Sequence, residues 1–143
     1  MGDRRSSLPF WKCYFHLICA TKNRQPIITA AMEGVLFAAI RSKSEELHCP
    51  ILGVNGTQDH IHIAVSIRPS LSTGHWIGQI KGASSHAVNK AFADLNPKFR
   101  WQEDYGVVTF GGIKLPTVLN YIENQKQHHQ AGTLEPFLEQ IEE

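Results

Sequence analysis

Long apolar runs are missing from this chain: nowhere do about 18 apolar residues follow one another, and the apolar stretch after Arg4 and Arg5 is interrupted by Lys12 and His16. Neither a membrane span nor a secretory leader is expected, which points to a soluble, cytoplasmic protein. Cysteine is scarce, with Cys13, Cys19 and Cys49 odd in number and without C-x-x-C spacing. That argues against a disulfide framework and a zinc ribbon and suits reduced thiols. A large net charge is missing too, since 14 Lys/Arg meet 13 Asp/Glu for a net +1. The balance hides a gradient, because residues 130–143 carry four acids and no base, leaving the first 129 residues with 14 basic against nine acidic groups. A mildly basic body permits phosphate contacts without requiring them. With no internal repeat and no low-complexity segment, residues 1–143 read as one domain with a core over about 10–130 and an acidic helical tail over 131–143.

What the chain does have is Asp59-His60-Ile61-His62-Ile63-Ala64-Val65-Ser66-Ile67. Ile61, Ile63, Val65 and Ile67 alternate with His60, His62, Ala64 and Ser66, the period of a strand with one apolar face. Side chains at i and i+2 share a face, about 6.5 Å apart, so His60 and His62 stand side by side on the other one. Two adjacent imidazoles suit one metal ion. From His-x-His alone, two surface histidines on a half-exposed strand are an equally good reading.

Around this strand the expected order is β-α-β-β-α-β-α. Residues 10–20 are aromatic and β-branched, a strand ending in a polar run closed by Pro26. Thr29 caps a helix to about Glu46. Pro50 breaks it, Ile51-Leu52-Gly53-Val54 begins a strand, and Asn55-Gly56 reads as its hairpin turn, with a turn near Gln58 as the alternative. Ser72 or Thr73 caps a second helix to about Phe92, Tyr105–Phe110 forms the last strand, and Pro116 opens a third helix from Leu115 to about His129, stopped by Gly132. The fold class is α+β: a ferredoxin-like βαββαβ antiparallel sheet with two helices on one face and an additional C-terminal helix. His60 and His62 occupy the opposite face, open to a ligand or to that third helix.

On the third helix Leu115, Val118, Leu119 and Ile122 form one arc, with Tyr121 and Gln125 about 40° apart at its edge. Taken singly, these two read as a boundary aromatic and a surface amide. Taken with the rest of the chain they acquire a context. The blocks Ala20-Thr21-Lys22-Asn23-Arg24-Gln25-Pro26, Asp59-His60-Ile61-His62, Ile80-Lys81-Gly82-Ala83-Ser84-Ser85, Trp101-Gln102-Glu103-Asp104-Tyr105-Gly106 and Tyr121–His129 together resemble the small single-tyrosine HUH transposases, which move insertion sequences as single-stranded DNA. One departure is Asp104, where the pattern Trp-Gln-x-Gly-Tyr-Gly has glycine.

The resemblance implies that Tyr121 is the catalytic nucleophile, forming a 5′-phosphotyrosine link and releasing a 3′-hydroxyl. It implies that His60, His62 and Gln125 bind a divalent ion, Mg²⁺ or Mn²⁺, while helical spacing offers His128, seven positions from Tyr121, as a competing ligand or proton acceptor. It further implies a homodimer whose tyrosine helix can complete the partner's histidine site, and single-stranded DNA with hairpin ends as substrate. Lys22, Arg24, Lys81, Ser84, Ser85 and Trp101 are then candidates for DNA contact. Two rival functions use the same residues differently: a metal-dependent phosphoesterase with water as nucleophile, and a non-catalytic ferredoxin-like nucleic-acid-binding module, which would present aromatics on an open sheet face.

Overall fold

The computed structural model describes residues 11–132 and 136–139. Four strands, β1 (Tyr14–Ala20), β2 (Ile51–Gly56), β3 (His60–Ser66) and β4 (Gly106–Phe110), form one sheet in the order β2-β3-β1-β4. All neighbours run antiparallel, and the two central strands, β1 and β3, pair from Tyr14 with Ser66 to Ala20 with His60. This is the expected ferredoxin-like α+β sheet.

Helices α1 (Ala30–Glu46) and α2 (Thr73–Ala91) cover one face. Each begins where a hydroxyl can satisfy an end N–H: Thr29 Oγ1 accepts from Met32 N, and Ser72 Oγ accepts from His75 N. Their inner stripes, Met32, Leu36 and Ile40 on α1 and Trp76, Ile77, Ile80 and Val88 on α2, bury against Leu17, Cys19, Ile61, Ile63 and Val65 of the sheet. Each such side chain contributes roughly 1.5–3 kcal/mol by leaving water. Buried Ser44 joins the two helices, accepting from Trp76 Nε1 at 2.9 Å and donating to the Cys49 carbonyl.

The second face is covered by α3 (Leu115–Glu123), followed by α4 (Gln125–Ala131) and α5 (Pro136–Glu139). Val118 and Ile122 pack on Ala64, whose small side chain lets the helix lie close. Gly53 on β2 has the same use, because a Cβ there would stand 3.1 Å from Leu119 Cδ2.

Two expected boundaries differ. Asn55-Gly56 is not the hairpin turn but the end of β2, pairing with His62 and Ile61, and the chain reverses over Thr57–Asp59. A Cβ on Gly56 would fall 2.2 Å from the His60 carbonyl oxygen, so the close crossing of the two strands is what this glycine serves. The single helix expected from Leu115 to His129 is interrupted at Asn124, whose φ of −100° and ψ of 25° depart from helical values. At that point Asn55 Nδ2, from β2, donates to the Glu123 carbonyl, and the Asn124 amide folds back onto Asn120. Tertiary and side-chain partners thus replace part of the helical ladder. Of the acidic tail, residues 133–135 and 140–143 lie outside the described residues, as does the start of the first expected strand at Phe10.

Candidate active site

β3 supplies the two histidines and β1 frames them. The register sets Ala20 opposite His60, Ile18 opposite His62 and His16 opposite Ala64, so His16 lies diagonally beside His62 on the same face. That face is not open: His60 is 1% and His62 0% exposed beneath the C-terminal helices. An exposed sheet platform for stacked bases is therefore absent from this part of the described structure.

Each imidazole is oriented from behind. His60 Nδ1 lies 2.8 Å from Asp59 Oδ1 and 2.9 Å from Thr57 Oγ1. A carboxylate can only accept, so Nδ1 carries the proton and Nε2 presents its lone pair to the site, the arrangement found behind metal-binding histidines. Burial and the His60 and Arg24 partners act in opposite directions on Asp59, and the partners prevail, holding its carboxyl below its ordinary value. His62 Nδ1 lies 2.9 Å from His16 Nε2. Burial, with His62 nearby, pushes His16 down to about 3, so this imidazole is neutral at physiological pH and able to accept from His62 Nδ1–H. In that tautomer His62 Nε2 also faces the site as a bare lone pair.

α3 and α4 bring the remaining groups. Tyr121 is 5% and Gln125 0% exposed, with the Tyr121 ring edge-on to His62 at 6.0 Å between centroids. The break at Asn124 falls between them, yet the two side chains still converge: the Tyr121 hydroxyl and Gln125 Nε2 both donate to Glu139 Oε2, the latter at 3.0 Å. His128 stacks on the Tyr121 ring, 4.5 Å between centroids, while its neighbour His129 brings Nε2 to 3.1 Å from His60 Nε2.

Glu139 reaches this group from α5. Its Oε1 stands 3.5, 3.2 and 3.4 Å from Nε2 of His60, His62 and His129. Burial alone would raise the Glu139 carboxyl, but with a proton on Nε2 of His60 and His62 those rings and the Tyr121 hydroxyl outweigh burial and hold it far below the ordinary carboxylate range, whereas a cation would select the lone-pair tautomers. The contact with His62 is close in distance but poorly aligned. Among the described residues, His62 Nε2 and Gln125 Oε1 are buried with no hydrogen-bond partner. Two orphaned acceptors cost roughly 1–3 kcal/mol each, a cost that a cation would relieve. His60, His62, His129 and Glu139 place one donor atom each within 4.8 Å of one another, so they are able to hold a metal ion.

The site thus joins all four residues expected from the sequence, Tyr121, His60, His62 and Gln125, and adds His16, His129 and Glu139. His129 had a legible signal, four residues after Gln125 on one helical face. His16 and Glu139 had none.

The six candidate DNA-contact residues divide. Ser84 is wholly buried, accepting from Trp101 Nε1 at 3.0 Å, and Trp101 packs edge-on against Phe99 with 9% exposure. Lys81 Nζ is engaged by the carbonyls of Gln102, Glu103 and Asp104, and Ser85 donates into its own helix. These four build the α2 to β4 connection, and Ser84 in particular is too deep to meet a phosphate. Arg24 remains exposed near the site, its Nε lying 3.7 Å from Asp59 Oδ2, whereas Lys22 is half-buried and its backbone N–H donates to the Arg100 carbonyl.

Comparison with known proteins follows from this geometry. The family model for IS200-like transposases matches residues 9–125. The chain belongs to the IS200-like transposases. This single-tyrosine transposase is 29% identical over 137 residues to the transposase for insertion sequence element IS200 of Salmonella typhimurium, covering 92% of this chain and 90% of that one. It is 23% identical over 115 residues to the ISDra2 transposase TnpA of Deinococcus radiodurans, covering 78% and 82%. Among solved structures, a putative transposase from Deinococcus radiodurans superposes with a TM-score of 0.68 at 24% identity, over 87% of this chain and 98% of that one. A REP-associated tyrosine transposase bound to a REP hairpin superposes with a TM-score of 0.63 at 15% identity, over 94% and 76%. The shared fold is the ferredoxin-like one. Among the described residues, no helix is long and apolar enough to cross a membrane.

Proposed function

We propose that this transposase cleaves and rejoins single-stranded DNA through a 5′-phosphotyrosine intermediate at Tyr121, with a divalent ion held by His60, His62 and Gln125. The observation that carries the proposal is the convergence of the tyrosine hydroxyl with two imidazoles and an amide, two of whose acceptor atoms are buried and unpaired. Those orphaned atoms, His62 Nε2 and Gln125 Oε1, belong to the donor set that the family resemblance implies, which is why the residues fit the ion.

Tyr121 Oη attacks the phosphorus, the bond to the 3′-oxygen breaks, and that oxygen leaves as a 3′-hydroxyl. The chain supplies the positioning. α3 is seated on Ala64 and Gly53, His128 stacks on the phenol, and the proton that Tyr121 must lose already points at Glu139 Oε2. An ion bound at the site supplies charge for a phosphoryl oxygen and fixes the scissile phosphate in line. Conserving the ester bond in a tyrosyl link allows rejoining without an external energy source.

The substrate follows from the same reading. A cleft of about 450 Å³, lined by Phe110, Lys114, Asn120, Tyr121, His128 and Leu138, opens beside the nucleophile and offers a strand a place to lie. The REP hairpin held by the structural neighbour supports hairpin-bearing ends as the substrate form. Homodimerisation belongs to the proposal as well: β4 is an edge strand, Val107 on it is 42% exposed, and Ile113 just beyond it is 91% exposed. Within one chain the Tyr121 ring stands 6.0 Å from the His62 ring, and completion of the partner's histidine site by the same helix belongs to the dimer proposal.

Incubation with labelled single-stranded DNA from the flanks of the encoding element, followed by denaturing electrophoresis, tests the nucleophile. Tyr121→Phe should bind the DNA yet lose the covalent adduct by more than about 10³-fold. Cleavage that persists in Tyr121→Phe with no adduct would mean a water-based phosphoesterase instead.

A further inference from the structure

We propose that His129 and Glu139 are metal ligands, so that the ion sits in a site of three imidazoles and one carboxylate, and that Gln125 orients Glu139 as well as facing the ion. The inference rests on the ion-binding reading above and deepens it. Both residues lie beyond the span 9–125 that the family model matches, on α4 and α5.

The geometry is the argument. Donor atoms bound to one ion at about 2.0–2.2 Å stand about 3.0–3.5 Å from each other in tetrahedral or octahedral arrangement. The separations here are 3.1 Å for His60 to His129, 3.5 Å for His60 to Glu139, 3.2 Å for His62 to Glu139 and 3.4 Å for His129 to Glu139. These four edges fit one coordination sphere, and the other two pairs, His62 with His60 and with His129, lie within 4.8 Å. Among the described residues His62 Nε2 has no hydrogen-bond partner although the Glu139 carboxylate lies 3.2 Å away, which leaves its lone pair to an ion. The donors also have the backing that ligands need. Asp59 fixes the His60 tautomer, His16 receives His62 Nδ1–H, and Tyr121 and Gln125 donate to Glu139 Oε2, leaving Oε1 to face the imidazoles.

The donor set has a chemical consequence. Three nitrogens beside the Glu139 and Gln125 oxygens favour a borderline ion such as Zn²⁺, Co²⁺ or Mn²⁺ over Mg²⁺, which prefers oxygen and keeps much of its water. The tail then closes over the ion through Glu139, whose side chain is 13% exposed.

Binding, not cleavage, tests this. Calorimetric titration of the full-length chain with Zn²⁺, together with the visible absorption of the Co²⁺ form, should show one site in the wild type. Glu139→Gln and His129→Gln should each weaken Zn²⁺ binding at least tenfold and alter the Co²⁺ spectrum, with far-ultraviolet circular dichroism unchanged. Wild-type affinity and spectrum in both variants would overturn the inference while leaving the reading with His60, His62 and Gln125 intact. Tighter binding in Glu139→Ala would also overturn it, because the carboxylate would then be a plug competing with the ion. Zn²⁺ binding insensitive to His60→Ala, or no binding by the wild type, would remove the ion-binding reading and this inference with it.

Discussion

The two faces of β3 are both sealed from water, yet they are sealed in opposite ways. On one face Ile61, Ile63 and Val65 meet the stripes of α1 and α2, and every atom gains by the burial. On the other, His60 and His62 are as deeply buried as the isoleucines, and the burial leaves His62 Nε2 without a hydrogen-bond partner and pushes the His62 imidazole toward its neutral form. The first face holds the domain together. The second stores an unfavourable arrangement that α3, α4 and α5 keep in place, which is the kind of arrangement the proposed ion would relieve.

The sharpest way to break this comparison is to cut each face in turn. Ile63→Ala should cost about 2–5 kcal/mol, because it opens a cavity in a fully packed core. Gln125→Leu should change the stability of the metal-free protein by less than about 1 kcal/mol, since it deletes an orphaned oxygen along with one hydrogen bond, while abolishing DNA cleavage. Urea denaturation in the presence of a chelator measures both. Comparable losses would mean that the histidine face is a second structural core.

Acid sharpens the contrast further. Burial lowers His16 to about 3, so the folded metal-free protein refuses a proton that the unfolded chain takes up near 6.5. Its contribution to stability is therefore complete above about 6.5 and is lost as pH falls from there toward 3, at up to about 1.4 kcal/mol per pH unit. Glu139, depressed by its partners, acts in the same direction below the ordinary carboxylate value of about 4.3. Denaturation midpoints measured from pH 7 to 4 should fall less steeply in His16→Phe than in the wild type, whereas Ile63→Ala should keep the wild-type slope. An unchanged slope in His16→Phe would refute the neutral His16.

The smallest effect is expected at the rim. Arg24→Ala should weaken single-stranded DNA binding about two- to fivefold at low salt and less at high salt, because an exposed guanidinium offers a screened phosphate contact. Ser84→Ala, which lies within the apolar packing of α2, should leave the salt dependence of binding unaltered. Fluorescence anisotropy at two ionic strengths separates the two positions.

Much of this was determined by the sequence alone. Alternation with period two placed His60 and His62 together, helical spacing and the Thr29 and Ser72 caps set α1 and α2, and four-residue spacing brought Gln125 to the side of Tyr121. These are local rules, acting over a few consecutive residues, and the last survives the break at Asn124 that puts Tyr121 on α3 and Gln125 on α4. The turn at Thr57–Asp59 and the break at Asn124 were decided elsewhere, because the partners involved, the β3 backbone and the Asn55 amide, belong to other parts of the chain. The burial of Ser84 and Trp101 was decided the same way, by each other across 17 residues. His16 joins the site only through the β1 to β3 register, and Glu139 only because the chain turns back after α4, where Gly132 takes a φ of 73°. No periodicity links position 16 or 139 to position 62. Donor atoms from distant segments meet at one point because the sheet and the returning tail bring them there, and only the tertiary structure contains that information.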